Sequence, residues 1–191
     1  MLTDRSSAIV KMNPQAPAAV LERLILAMGR QDAQALEEFY RQTRSAVYGY
    51  VLSITANSAD AEDVLQDTFV QAYTAAGRYR PSGKPMAWLL TIARNLALMR
   101  LRGTKRVAPL DEAASFAALP DAVSGEDRLL LAAALQVLSD EERQLVMMHT
   151  VAGLKHREIA EMQQMPLSTV LAKYHRALKK LRKKLTEGED A

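Results

Sequence analysis

The chain has 191 residues, a formal net charge of +3 and no cysteine, which excludes disulfides, thiolate metal sites and a cysteine nucleophile. That length allows one large domain or two small ones, and a composition rich in Ala, Leu, Met, Glu, Gln, Lys and Arg with few aromatics favours helix over sheet. No apolar run approaches the roughly 20 residues that span a bilayer, so membrane insertion is not expected. The first residues are mixed and polar with no signal-peptide core, and a cytoplasmic protein is the expectation. The charge is unevenly spread, acidic near 60–67 and 111–127 and basic near 100–106 and 173–184.

Residues 1–17 carry Pro14 and Pro17 without periodicity and are expected to be disordered. Pro17 can open a helix that Gly29 stops. Asp32 reads as the N-cap of a long helix whose apolar face is Leu36, Phe39, Tyr40, Val47, Val51, Leu52 and Ile54. After a break at Asn57 and Ser58, a further helix runs to about Ala76. It buries Val64, Leu65, Thr68, Phe69, Ala72 and Tyr73, and turns Glu62, Asp63, Gln66, Asp67, Val70, Gln71 and Thr74 the other way. That second face is either a solvated surface or a docking site for a basic partner.

Gly77 ends this helix, and Pro81, Gly83 and Pro85 shape the loop RYRPSGKP. Arg78, Tyr79, Arg80, Ser82 and Lys84 suit a stacked or pocketed single-stranded base, and suit an ordinary polar loop equally well. The next helix reaches about Arg102 on a stripe of Leu89, Ile92, Ala93, Leu96 and Met99, with Trp88 as a core anchor. Arg94, Asn95, Arg100 and Arg102 point elsewhere and are of the types that read base edges or phosphates. Together these elements make a first domain over 18–106. Residues 107–125, with Pro109, Pro120 and Gly125, read as a flexible linker.

A second small helical domain is expected over 126–186, with a short tail at 187–191. Its first helix, DRLLLAAALQVL, ends before Ser139, which with Glu142 forms a capping box for DEERQLVMMHTVAG. Gly153 breaks that helix. Residues 153–185 then read as a helix-turn-helix, with Ala160 and Val170 as the small and β-branched residues at its crossing. That makes four helices in this domain. Lys173, Arg176, Lys179, Lys180, Arg182, Lys183 and Lys184 crowd the last helix, an electrostatic footprint for phosphate. The alternative is an amphipathic helix whose basic end suits the macrodipole. No Gly-rich phosphate loop, nucleophile–base arrangement or metal cluster is visible, since His149, His156 and His175 are scattered. An enzyme is therefore not expected, and no cofactor is implied.

DAEDVLQDTFVQAY (60–73), GKPMAWLLTIARNLALMRLR (83–102), LSDEERQLVMMHTVAGLKHREIAEM (138–162) and STVLAKYHRALKKLRKKL (168–185) together resemble the extracytoplasmic-function sigma factors, two-domain bacterial RNA polymerase subunits. The resemblance implies an all-α fold of two small domains that binds core RNA polymerase and promoter DNA. It implies polymerase contacts from Glu62, Asp63, Gln66 and Asp67. It implies −10 element contacts from Tyr79, Arg80, Ser82, Lys84, Arg94, Asn95, Arg100 and Arg102, with help in strand separation. It implies −35 contacts from Ser168, Thr169, Lys173, Arg176 and Lys179, and an anti-sigma factor as a partner. Four positions depart from the family pattern. Gln164 stands in the turn where glycine is usual, Gln163 replaces an apolar residue, and Leu171 and Ala172 replace Lys and Ser. With few bidentate readers left, binding by phosphate contacts, DNA shape and thymine methyls is expected. The competing reading is a dimeric helix-turn-helix regulator that binds duplex DNA without polymerase.

Overall fold

The structure, a computed structural model, describes residues 16–103 and 136–187. The expectations for the N-terminal segment, the linker, the helix opening at Asp127 and the last residues lie outside the described residues. Every regular element among the described residues is helical.

Helix α1, Ala18–Met28, buries Leu21, Ile25 and Met28, spaced four and three apart on one face. Pro17 takes the N-cap position rather than the first helical turn. Gly29 follows α1 with an ordinary right-handed backbone, so it is not needed for a left-handed stop. Its role is close approach: a Cβ there would sit 3.0 Å from the Ala76 carbonyl oxygen and 3.1 Å from the Gly77 Cα. Helix α2, Ala33–Thr55, begins at Asp32, whose side chain accepts from the backbone N–H groups of Gln34 (2.9 Å) and Ala35 (3.1 Å). Asn57 caps helix α3, Ser58–Ala75, by accepting from the Asp60 N–H at 2.9 Å. Each such cap is worth about 1 kcal/mol. A 3-10 turn at Ala76–Arg78 leads through the loop to helix α4, Pro85–Gly103.

These four helices pack on one another. Phe69 of α3 meets Phe39 and Tyr40 of α2 edge-on, with ring centroids 6.1 Å and 4.7 Å apart. Among the described residues the second unit opens with helix α5, Asp140–Val146, where Ser139 and Glu142 complete the expected capping box. The helix does not continue regularly to Gly153: Met147–Val151 widens into a π turn. Helices α6, His156–Gln163, and α7, Leu167–Glu187, form the helix-turn-helix, with Ala160 and Val170 both buried.

The two units share a face. Helix α2 packs on α5 and the π turn, and α4 touches α6. Tyr48, Gly49 and Tyr50 of α2 are buried in succession, and Tyr50 faces the second unit. The Tyr50 hydroxyl accepts a long hydrogen bond from Gln163 Nε2 at 3.4 Å, and Lys84 Nζ pairs with Glu161 at 2.7 Å.

Candidate nucleic-acid interface

The acidic face stands on α3. Ala61, Val64, Leu65, Thr68, Phe69 and Ala72 point into the core, which leaves Glu62, Asp63, Gln66 and Asp67 exposed on the opposite side. Val70, 68 % exposed, continues this face towards a groove of about 390 Å³ lined by Leu36, Tyr40, Phe69 and Tyr73. The carboxylates are not equivalent. Arg100 of α4 donates to Asp60 and Asp63, both at 2.7 Å, and so ties α3 to α4. Glu62 and Asp67 have no ion-pair partner among the described residues.

The loop after α3 is held from below. Tyr79 is buried, and its ring meets the Trp88 edge at 5.0 Å. Its hydroxyl donates to Glu22 Oε1 of α1 at 2.8 Å. The same oxygen accepts from the backbone N–H groups of Ser82 and Gly83, each at 2.8 Å. Burial, followed by the Glu22 carboxylate, pushes the Tyr79 hydroxyl up to about 12, while Tyr79 and the two amides hold Glu22 below the usual carboxylate range. The Tyr79 ring is turned into the protein, with Trp88 against its apolar body and Glu22 on its hydroxyl.

Arg80 and Ser82 are exposed on the loop, and Lys84 is half-buried beside Glu161. On α4, Asn95 and Arg102 are exposed and Arg94 is half-buried. Arg100 is exposed as well, yet its guanidinium is already committed to α3.

On α7, Val170, Tyr174, Ala177 and Leu181 form the buried stripe. Ser168, Arg176 and Lys179 lie on the outer side, with Thr169 partly covered. Lys173 is paired with Glu141 of α5, and Lys180 with Glu142 at 2.7 Å. These pairs brace α7 against α5 and draw two cations away from the outer face. Gln164 has a left-handed backbone (φ 54°, ψ 40°), so the turn keeps its geometry without glycine. His149 and His156, scattered in sequence, stack at 4.1 Å on the edge of Tyr174. No group able to hold a metal ion occurs among the described residues.

Sequence reasoning missed Glu22, Glu161 and Tyr50. None carries a local signal, since each matters only through a partner more than fifty residues away.

An all-helical chain with an acidic helix face, a braced polar loop and a basic helix-turn-helix has the architecture of a promoter-binding protein. The family description of Sigma-70 region 2 matches residues 39–107, and that of Sigma-70 region 4 matches residues 128–181. The RNA polymerase sigma factor CarQ of Myxococcus xanthus is 33% identical over 165 residues, covering 84% of this chain and 94% of CarQ. The ECF RNA polymerase sigma factor SigK of Mycolicibacterium vanbaalenii is 27% identical over 179 residues, 86% of this chain and 89% of SigK. Two solved structures share the fold. CnrH in complex with the cytosolic domain of CnrY has a TM-score of 0.60 and 22% identity, covering 90% of this chain and 97% of that one. The sigma factor RpoE in complex with the anti-sigma factor NepR, from Bartonella quintana, has a TM-score of 0.57 and 21% identity, covering 78% and 96%.

The chain belongs to the extracytoplasmic-function sigma factors. It is a subunit that binds core RNA polymerase and promoter DNA and directs promoter-specific initiation. The dimeric-regulator reading finds no support, since it leaves the region 2 match without a role.

Proposed function

We propose that the acidic face of α3 docks on a basic surface of core RNA polymerase, with Glu62, Gln66 and Asp67 as its principal contacts and Asp63 shared with Arg100. Charge complementarity there would speed and orient docking. Arg80, Ser82 and Lys84 meet an unstacked base of the −10 element, and Asn95, Arg94 and Arg102 hold the adjoining backbone. Arg100 contributes through its tie to α3, and Tyr79 by shaping the loop. On α7, Ser168, Thr169, Arg176 and Lys179 contact the −35 element, with Lys173 reaching it on release from Glu141. The chain catalyses nothing itself: it acts on polymerase in the cytoplasm, and an anti-sigma factor covers these faces when the factor is silent.

The observation that carries this reading is the exposure of Glu62, Gln66 and Asp67 on a helix whose other side is wholly buried. Reversing Glu62 and Asp67 to Lys, and sparing Asp63 because of its bond to Arg100, is expected to abolish co-elution with core polymerase while circular dichroism stays unchanged. Wild-type co-elution of this variant would sink the docking assignment.

A further inference from the structure

Glu22 lies outside every stretch that carries the family resemblance, yet one of its oxygens collects three donors from the loop: the Tyr79 hydroxyl and the consecutive amides of Ser82 and Gly83, each at 2.8 Å. Adjacent backbone N–H groups aimed at one point form an anion-binding concavity, here filled by the protein's own carboxylate. Gly83 supplies the left-handed backbone this requires, at φ 73°, and nothing lies within 4 Å of where its Cβ would be. The need for glycine is thus conformational rather than spatial. Hydrogen bonds to an ionised acceptor are roughly twice as strong as neutral ones, so the loop is bound firmly to α1 at both Tyr79 and residues 82–83.

We propose that Glu22 is a positioning residue for −10 element selectivity: its carboxylate fixes the backbone of residues 79–83 from which Arg80, Ser82 and Lys84 meet the base. This rests on the reading of the loop as the base-capturing element. Two consequences follow from the geometry. The Ser82 and Gly83 amides point inward and are not offered to DNA phosphates, so the base is read by side chains. The Glu22 oxygen that holds the loop is occupied by these three donors, and the charge it carries stays on the α1 side of the loop.

The test uses the full chain assembled with core polymerase. Transcription is measured from promoters carrying every base at each −10 and each −35 position, with wild type, Glu22→Ala, Glu22→Gln and Tyr79→Phe. Amide hydrogen exchange of the free proteins is followed in parallel. Glu22→Ala is expected to keep core binding and −35 preference, to lose about tenfold discrimination at one or two −10 positions, and to exchange faster at Ser82 and Gly83. Glu22→Gln, which keeps an acceptor, recovers part of that discrimination. Tyr79→Phe, which leaves both amide bonds, changes it least. An unaltered −10 profile in Glu22→Ala overturns the proposal. So does a loss spread equally over both elements, or the absence of any recovery in Glu22→Gln. If replacing Arg80, Ser82 and Lys84 with Ala also leaves the −10 profile unaltered, the fault lies in the reading of the loop itself.

Discussion

At the scale of single residues, the helix-turn-helix rests on a pair of histidines. His156 stacks on His149 at 4.1 Å, its Nε2 is buried without a hydrogen-bond partner among the described residues, and His149 Nδ1 lies 2.8 Å from the Leu154 carbonyl. Tyr174 and His175 of α7 complete the surroundings. Burial first, then the charges of His149 and His175, hold His156 below the usual histidine range. The unfolded chain therefore binds a proton at His156 more readily than the folded one. Its stability contribution is full above the unfolded histidine value, near 6.5, and falls as pH drops below it. Thermal melts between pH 7.5 and 5.5 are expected to show the melting temperature decreasing. His156→Phe should flatten that slope within this window, and an equal slope in both proteins would refute the assignment.

At the scale of elements, caps and turns decide where helices begin and end. Asp32, Asn57 and Ser139 were legible as helix starts or breaks because their side chains act within three residues. The π turn at Met147–Val151 was not legible, since widening a helix depends on what packs against it rather than on local propensity. Gln164 shows the reverse case, a position without the usual glycine that still takes the left-handed backbone. Met165 N–H reaches the Ala160 carbonyl at 3.0 Å across it. Gln164→Gly is expected to raise the stability of the chain by about 0.5–1 kcal/mol, because the left-handed penalty disappears and only part of it returns as glycine entropy. Urea unfolding checks this, and a lower midpoint would mean that the Gln side chain contributes more than the backbone strain costs.

For the whole molecule, the contact between the units sets a limit on function. Lys84 on the loop before α4 touches Glu161 on the first helix of the helix-turn-helix. An arrangement in which the units touch is expected to open when both promoter elements are bound. The ion pair is exposed and contributes little to closure. Tyr50 is buried at this contact, and Gln163 bridges its hydroxyl and Met148. Because the chain has no cysteine, thiols placed at exposed Thr91 and Ala172 can be labelled uniquely. Energy transfer between them is expected to be high in the free protein and lost in the polymerase–promoter complex. Transfer that stays high in that complex would contradict opening.

The all-helical class, the acidic face of α3, the basic stripe of α7 and the helix-turn-helix were legible in the amino-acid sequence. Each follows from composition, or from periodicity and charge along one helix or two adjacent ones. The tertiary structure alone decided that Tyr79 faces inward, that Arg100 and Lys173 are engaged by carboxylates, that Glu22 shapes the loop and that Tyr50 is covered from both sides. The reason is physical. A helix's pattern tells which side avoids water, but a hydrogen bond or ion pair between distant segments depends on how the helices cross, and one chain's local propensities do not encode that crossing.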